Sequence, residues 1–179
     1  MQKLLEKLDF AHSKLTIGFV YYVEHLDKNG KRKSIERIDN LIPAVGVEYI
    51  LNTGVVSVPM YASLWTDASF TPEAASVLTD MDEPTPLAVE DVTYYTDVSG
   101  FRPLVDAVIT DGLWSNAAIP IDFVFGGGAV DIYGGFITNT KTRGSYGGTL
   151  LSAVKFGSAK VMGADETLRV TCGLQLTAI

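Results

Sequence analysis

The sequence predicts a mainly β protein: an antiparallel β-sandwich, jelly-roll-like, with an N-terminal helix-and-hairpin arm. Three observations lead there. In the closing stretch, Leu168, Val170, Cys172, Leu174 and Leu176 alternate with Arg169, Thr171, Gly173, Gln175 and Thr177. A period of two marks a strand with one buried and one wet face. Ile121, Phe123 and Phe125 alternate in the same way, with Pro120 at the entry and Gly126-Gly127-Gly128 at the exit. Val130, Ile132 and Phe136 resume the pattern, interrupted by Gly134-Gly135. Finally, the 17 glycines and frequent aromatics fit a β protein with many turns.

Taken in order, residues 2–11 place Leu4, Leu5, Leu8 and Ala11 at helical spacing among charged residues. So short a helix is not stable alone and must pack on something. Residues 14–26 alternate through Leu15, Ile17, Phe19, Tyr21 and Val23. The run Asp27-Lys28-Asn29-Gly30-Lys31 then predicts a hairpin turn with positive φ at both central residues. The return strand, 32–39, carries Ile35 and Ile38, so the hairpin reads as a projecting or edge-adding element. Residues 43–52 read as a helix, with Pro43 in its first turn and Gly54 near its C-cap. A strand over 55–65 ends near Tyr61 and Trp65. An acidic loop follows over 66–91, with a helical turn at 72–79. Its length suits a surface loop that covers a sheet edge or makes a contact. Residues 92–98 read as a short strand, and Arg102-Pro103 opens an extended piece. The Gly-rich loop after Thr138 leads into a strand over 149–156, then a turn, then the closing strand. With about seven or eight strands after residue 55, the chain divides into an arm, 1–40, and a sandwich body, 41–179.

Charge is unevenly spread. Residues 1–40 hold eight Lys/Arg against six Asp/Glu, whereas residues 41–100 hold nine acids and no Lys or Arg. An acidic body argues against nucleic acid as the ligand. A mildly basic arm fits an acidic surface on a neighbouring subunit or another protein, and equally a solvated surface. Apolar runs fall short of the roughly 20 residues that span a bilayer, and the N-terminal pattern, broken by charges, is not that of a signal peptide. One cysteine, Cys172, excludes an intrachain disulfide framework; its register makes it a small core residue.

Candidate chemistry is sparse. Gly126-Gly127-Gly128 lacks a following Lys-Ser/Thr and precedes a strand, so it reads as a hairpin turn rather than a phosphate loop. Asp80, Asp82 and Glu83 are oxygen ligands too closely spaced for the helix-loop-helix calcium motif and are followed by Pro84; a solvated loop is favoured. Glu90 and Asp91, as strand neighbours, point apart. His12 and His25 have no nearby Cys and no second His at ligand spacing. No serine lies in a nucleophile elbow. Trp65, Trp114, Tyr94, Tyr95 and Tyr146 suit either sugar stacking or a sandwich core. Tyr146, with Lys141 and Arg143 in the Gly-rich loop, is placed to meet a partner. Candidate partner-binding residues are thus Leu4, Leu8, Phe19, Tyr21, Asn29 and Gly30 of the arm, and Lys141, Arg143 and Tyr146 of the loop. No catalytic residue, metal site or cofactor is expected.

Several pieces, in order, resemble small virion structural proteins of tailed bacteriophages and prophages. They are the Asp27-Lys28-Asn29-Gly30-Lys31 hairpin, Asn40-Leu41-Ile42, and a short helix with Gly46, Tyr49, Ile50 and Leu51. A strand ending near Trp65, Ala68-Ser69-Phe70-Thr71, Glu90 with Tyr94, and Arg102-Pro103 follow. Gly134-Gly135-Phe136, Gly148-Thr149-Leu150-Leu151-Ser152, Phe156 and Leu168-Arg169-Val170-Thr171 complete them. The resemblance covers most of residues 20–179. The chain departs from the group at Tyr61-Ala62-Ser63-Leu64-Trp65, where aromatic-glycine-leucine is usual, and in lacking a regular Trp-containing segment before Glu90. The resemblance implies a non-enzymatic part of a phage particle assembled in the host cytoplasm. It would be a tail or head-tail accessory or short fibre protein, attached through its arm, or else a capsid decoration protein. The implied partners are other virion proteins (tail, portal or adaptor, or capsid) and further copies of the chain, with no nucleic acid and no membrane. A carbohydrate-binding module for host-surface glycan is the alternative of a different class.

Overall fold

The computed structural model describes residues 15–40, 42–53, 59–80, 101–110, 113–126, 129–145 and 147–178. The protein is mainly β, with two antiparallel sheets whose facing residues share one core. The strands are β1 (Leu15–Leu26), β2 (Arg32–Asn40), β3 (Tyr61–Trp65), β4 (Val108–Thr110), β5 (Leu113–Ser115), β6 (Ile121–Phe125), β7 (Val130–Thr138), β8 (Leu150–Met162) and β9 (Glu166–Ala178). The single described α-helix, α1, spans Ala44–Thr53. The larger sheet has the order β2-β1-β9-β5-β4, with β6 also paired to β9; the smaller is β3-β7-β8.

The alternating patterns decide which face each strand buries. Phe19, Tyr21 and Val23 of β1, Ile121, Phe123 and Phe125 of β6, and Leu168, Val170 and Cys172 of β9 all enter the core. From the smaller sheet they meet Ala62, Leu64, Ile137, Val154 and Phe156. The hairpin of the expected arm is built into this arrangement. β1 pairs with β9 along its length, from Leu15↔Ala178 to Leu26↔Thr167, which leaves β2 at the sheet's edge. The expected helix over 2–11, the strand over 92–98 and residues 55–58 of the expected 55–65 strand lie outside the described residues.

Three local expectations need correction. The turn at Asn29-Gly30 has positive φ at Gly30 alone (76°). Gly30 N–H donates to the Asp27 carbonyl, and Asp27 N–H to the Lys31 carbonyl. That geometry is a type I turn closed by a left-handed glycine, a G1 bulge, and not the two-residue mirror-image turn. The Asp27 carboxylate holds it by accepting the N–H groups of Asn29 and Lys31, and those bonds pull its pKa below the usual carboxylate value. Second, Gly126-Gly127-Gly128 does not close a hairpin: β6 belongs to the larger sheet and β7 to the smaller, so the chain changes sheets there. Third, β8 does not turn after Phe156. It runs to Met162, and the turn comes at 163–165, with Asp165 at φ 61°. The alternation fails because the strand bulges: Ile132↔Lys160 and Gly134↔Lys155 leave Tyr133 opposite Phe156–Ala159.

The described part of the segment after β3, residues 66–80, covers a sheet face. Trp65, Phe136, Leu150 and Ala153, on the side of the smaller sheet away from the main core, form a second buried cluster with Leu78 and, at its margin, Phe70 and Tyr133. Phe70 meets Trp65 edge-on at 5.3 Å between ring centroids. The expected helical turn at 72–79 is not found over that range: residues 72–77 hold only a turn of the chain at 74–75, and a 3₁₀ turn follows over Leu78–Asp80. The free edge of β3 is closed by residues 103–105, through Ala62 N–H to the Pro103 carbonyl and Val105 N–H to the Met60 carbonyl.

Candidate interaction surface

The candidates fall into two places. Asn29 and Gly30 form the exposed tip of the β1–β2 hairpin. Lys141 and Arg143 lie on the β7–β8 connection, Lys141 exposed and Arg143 half-buried. Phe19 and Tyr21 are not surface residues: they are 0% and 2% exposed, so a partner cannot reach them in this fold. Their alternation signals a core face, and the face they bury belongs to the same chain. Leu4, Leu8 and Tyr146 lie outside the described residues.

The hairpin is clasped to the rest of the chain by polar groups. Tyr21 Oη donates to Ser152 Oγ at 2.7 Å, and Asn40 Nδ2 donates to the same oxygen at 2.6 Å. Burial, with the Cys172 thiol nearby, pushes the Tyr21 phenol well above its usual pKa against the pull of Ser152. Glu36 fills the β8 bulge, where its carboxylate accepts Gly157 N–H at 2.8 Å and pairs with the buried Lys160 ammonium at 2.7 Å. Glu166 accepts from His25 Nε2 at 2.8 Å, Lys33 Nζ at 2.7 Å and Gly163 N–H at 2.8 Å. Burial alone would raise the Glu166 pKa, but Lys33, the Gly163 amide and His25 together outweigh it and hold the value to about 2. His25 is thus part of a structural clasp, with both carboxylate oxygens of its partner in use.

Arg102, which sequence reading takes only as the start of an extended piece, organises the second place. It is 1% exposed. Its Nη1 donates to the Thr140 carbonyl at 2.8 Å and the Thr142 carbonyl at 2.6 Å, and Nη2 to the Ser145 carbonyl at 3.4 Å. Its guanidinium lies 5.5 Å from the Phe136 ring centroid. Arg102 N–H donates to the Lys141 carbonyl, and Lys141 Nζ lies 4.3 Å over the Phe101 ring. Asn139 Oδ1 accepts Thr149 N–H and ties the far end of the loop. A guanidinium has the planar fork needed to gather several carbonyls at once, so the basic loop is held in one shape. The sequence signal was weak: one arginine before a proline, 38 to 43 positions from its partners.

Asn116, fully buried, supports the large sheet where β5 hands over to β6. Its Oδ1 accepts Cys172 N–H at 2.7 Å, and its Nδ2 reaches the Val170 and Ile119 carbonyls at 3.4 Å. It thereby stands in for a strand between the Leu174 and Val170 pairings. Burial pushes the Cys172 thiol up to about 12, so it is an inert core group. Of the aromatics considered for sugar stacking, Trp65 is 0% and Trp114 7% exposed, the latter edge-on to Phe19 at 5.8 Å. Both are core residues, while Tyr94, Tyr95 and Tyr146 lie outside the described residues. Asp80 is exposed and its Oδ2 caps Val77 N–H; Asp82, Glu83, Glu90, Asp91 and His12 lie outside the described residues. Among the described residues no group of three His, Cys, Asp or Glu side chains is placed to hold a metal ion, and no helix is long and apolar enough to cross a membrane. Comparison with protein-family models, with curated proteins and with solved structures returns no match.

Proposed function

We propose that this chain is a non-enzymatic structural component of a tailed-phage virion, used in several copies, at the tail or the head-to-tail region. The reading takes the two-sheet body as jelly-roll-like and residues 1–40 as the attachment region, with the basic loop at Lys141 and Arg143 as a second contact. One observation supports it above the others: the scattered pieces that carry the resemblance touch one another. Asn40 bonds Ser152. A Cβ on Gly46 would lie 2.6 Å from the Leu151 carbonyl oxygen, so α1 can sit on β8 only through a glycine. Trp65 occupies the space over Gly134 and meets Phe70, and Arg102 lies over Phe136. These contacts join the pieces into one packed unit, which is the form that a shared fold would give them.

The test is quantitative mass spectrometry of purified particles together with a low-resolution map. A small symmetric set of copies at the tail vertex is the expected result. Copies spread over the whole head would replace this reading with the capsid decoration role. A chain missing from the particle would overturn both. The attachment region is then tested at its exposed tip, with Lys28→Glu and Lys31→Glu, because removing residues 15–40 would also take Phe19, Tyr21 and Val23 out of the core.

A further inference from the structure

We propose that Asn29, at the tip of the β1–β2 hairpin, is a site of spontaneous deamidation, and that the Asp27 side chain sets its rate. Of the chain's asparagines only Asn29 precedes a glycine, and a residue without a Cβ leaves its backbone nitrogen open to approach. Asn40, Asn116 and Asn139 are each held by side-chain hydrogen bonds, to Ser152, to the backbone of Val170 and Cys172, and from the Thr149 amide. Among the described residues the Asn29 carboxamide makes no such bond, and Asn29 and Gly30 are both exposed. A Cβ on Gly30 would meet nothing within 4 Å, so no described side chain shields the pair.

The reaction needs only these two residues and water. The Gly30 backbone nitrogen bonds to the side-chain carbonyl carbon of Asn29, and its proton passes through solvent to the departing amide, which leaves as ammonia. Water then opens the cyclic imide at either of its carbonyls, giving aspartate or isoaspartate. The sum is a water consumed, an ammonia released and a carboxylate gained. The folded turn opposes the first step. Gly30 N–H is engaged with the Asp27 carbonyl at 2.8 Å, and Asp27 Oδ1 holds the N–H groups of Asn29 and Lys31 at 2.9 Å on either side. The nitrogen reaches its target only when this tip opens locally. The Asp27 side chain is therefore the latch, through hydrogen bonds to a charged acceptor. The product places a carboxylate between Lys28 and Lys31, on the tip taken above as an attachment contact. That consequence rests on the virion reading, whereas the chemistry does not.

The experiment ages the purified full-length chain at mildly alkaline pH and follows each asparagine by peptide mapping and mass spectrometry. It needs no particle, so its failure and that of the virion reading are told apart. Conversion at Asn29 is expected to exceed that at Asn40, Asn116 and Asn139. Asp27→Ala should speed it roughly tenfold, because two hydrogen bonds to a carboxylate no longer close the tip. Asp27→Asn keeps an acceptor oxygen at the same place and should stay near the parent rate. Asn40, at the far end of β2, should keep its own rate in both variants. Conversion at Asn29 no faster than at Asn40 or Asn139, an Asp27→Ala rate equal to the parent's, or a rise at Asn40 matching that at Asn29 overturns the proposal.

Discussion

The two adjacent glycines of β7 show how much a single methyl group decides. A Cβ on Gly134 would lie 2.1 Å from Trp65 Cζ2 and 2.4 Å from the Val154 carbonyl oxygen. A Cβ on Gly135 would meet nothing nearer than the Ser63 carbonyl oxygen at 3.4 Å. It would also point toward a void of about 10 Å³ lined by Tyr21, Leu64, Phe123 and Phe156, among others. Gly134→Ala is expected to cost about 3 kcal/mol or more, as overpacking in a rigid interior does. Gly135→Ala is expected to stabilise by roughly 0.5 kcal/mol through lost backbone freedom in the unfolded chain. Urea titration of both variants checks the contrast. Trp65 gives a second one. Its indole N–H is buried without a hydrogen-bond partner, so in Trp65→Phe the lost donor costs little, and the expected loss of about 1–3 kcal/mol comes from the space that the six-membered ring leaves over Gly134. Trp65→Ala should cost about 3–5 kcal/mol.

Polar clasps act on whole elements. With Glu166 held to about 2 against an ordinary value of 4.5, its contribution is complete above pH 4.5 and is lost as pH falls toward 2. The stability difference between pH 7 and pH 3, from chemical denaturation, should therefore shrink in Glu166→Gln. An unchanged difference would place the acid response elsewhere. For the β7–β8 connection, Arg102→Met leaves the Thr140 and Thr142 carbonyls without their charged donor and should cost about 3 kcal/mol. Amide exchange at residues 140–145 should rise more than exchange in β9, which sits in the other sheet.

Seen whole, the molecule has a main core that includes the hairpin and a second cluster on the outer side of the smaller sheet. Each holds one of the two tryptophans: Trp114 beside Phe19, and Trp65 beside Phe70. Fluorescence of Trp114→Phe therefore reports the outer cluster, and that of Trp65→Phe the hairpin side. After correction for each variant's own stability, both are expected to follow the same transition as circular dichroism, because β3, β7 and β8 contribute to both clusters. An earlier transition at the Trp114 side alone would show that the hairpin unfolds as a separate unit.

The sequence by itself determined three of the long or central strands and their inward faces. β1, β6 and β9 are plain in the alternation at Phe19–Val23, Ile121–Phe125 and Leu168–Cys172, since a period of two leaves only one way to bury a half-apolar strand. The helix after Pro43 and the turn at Gly30 were likewise legible from local chemistry, although the turn's type was not. Tertiary structure decided what those faces meet. Phe19 and Tyr21 are apolar in any reading, and only the pairing with β9 and the bond to Ser152 make them core residues. β8 hid its full length because a bulge breaks the period, and Glu36, 121 positions away, repairs the break. Arg102 carried no local signal because its role is written in the carbonyls of another loop. Periodicity is a property of neighbours along the chain, whereas clasps, bulges and caged charges belong to neighbours in space, and these set the shape of the surface offered to a partner.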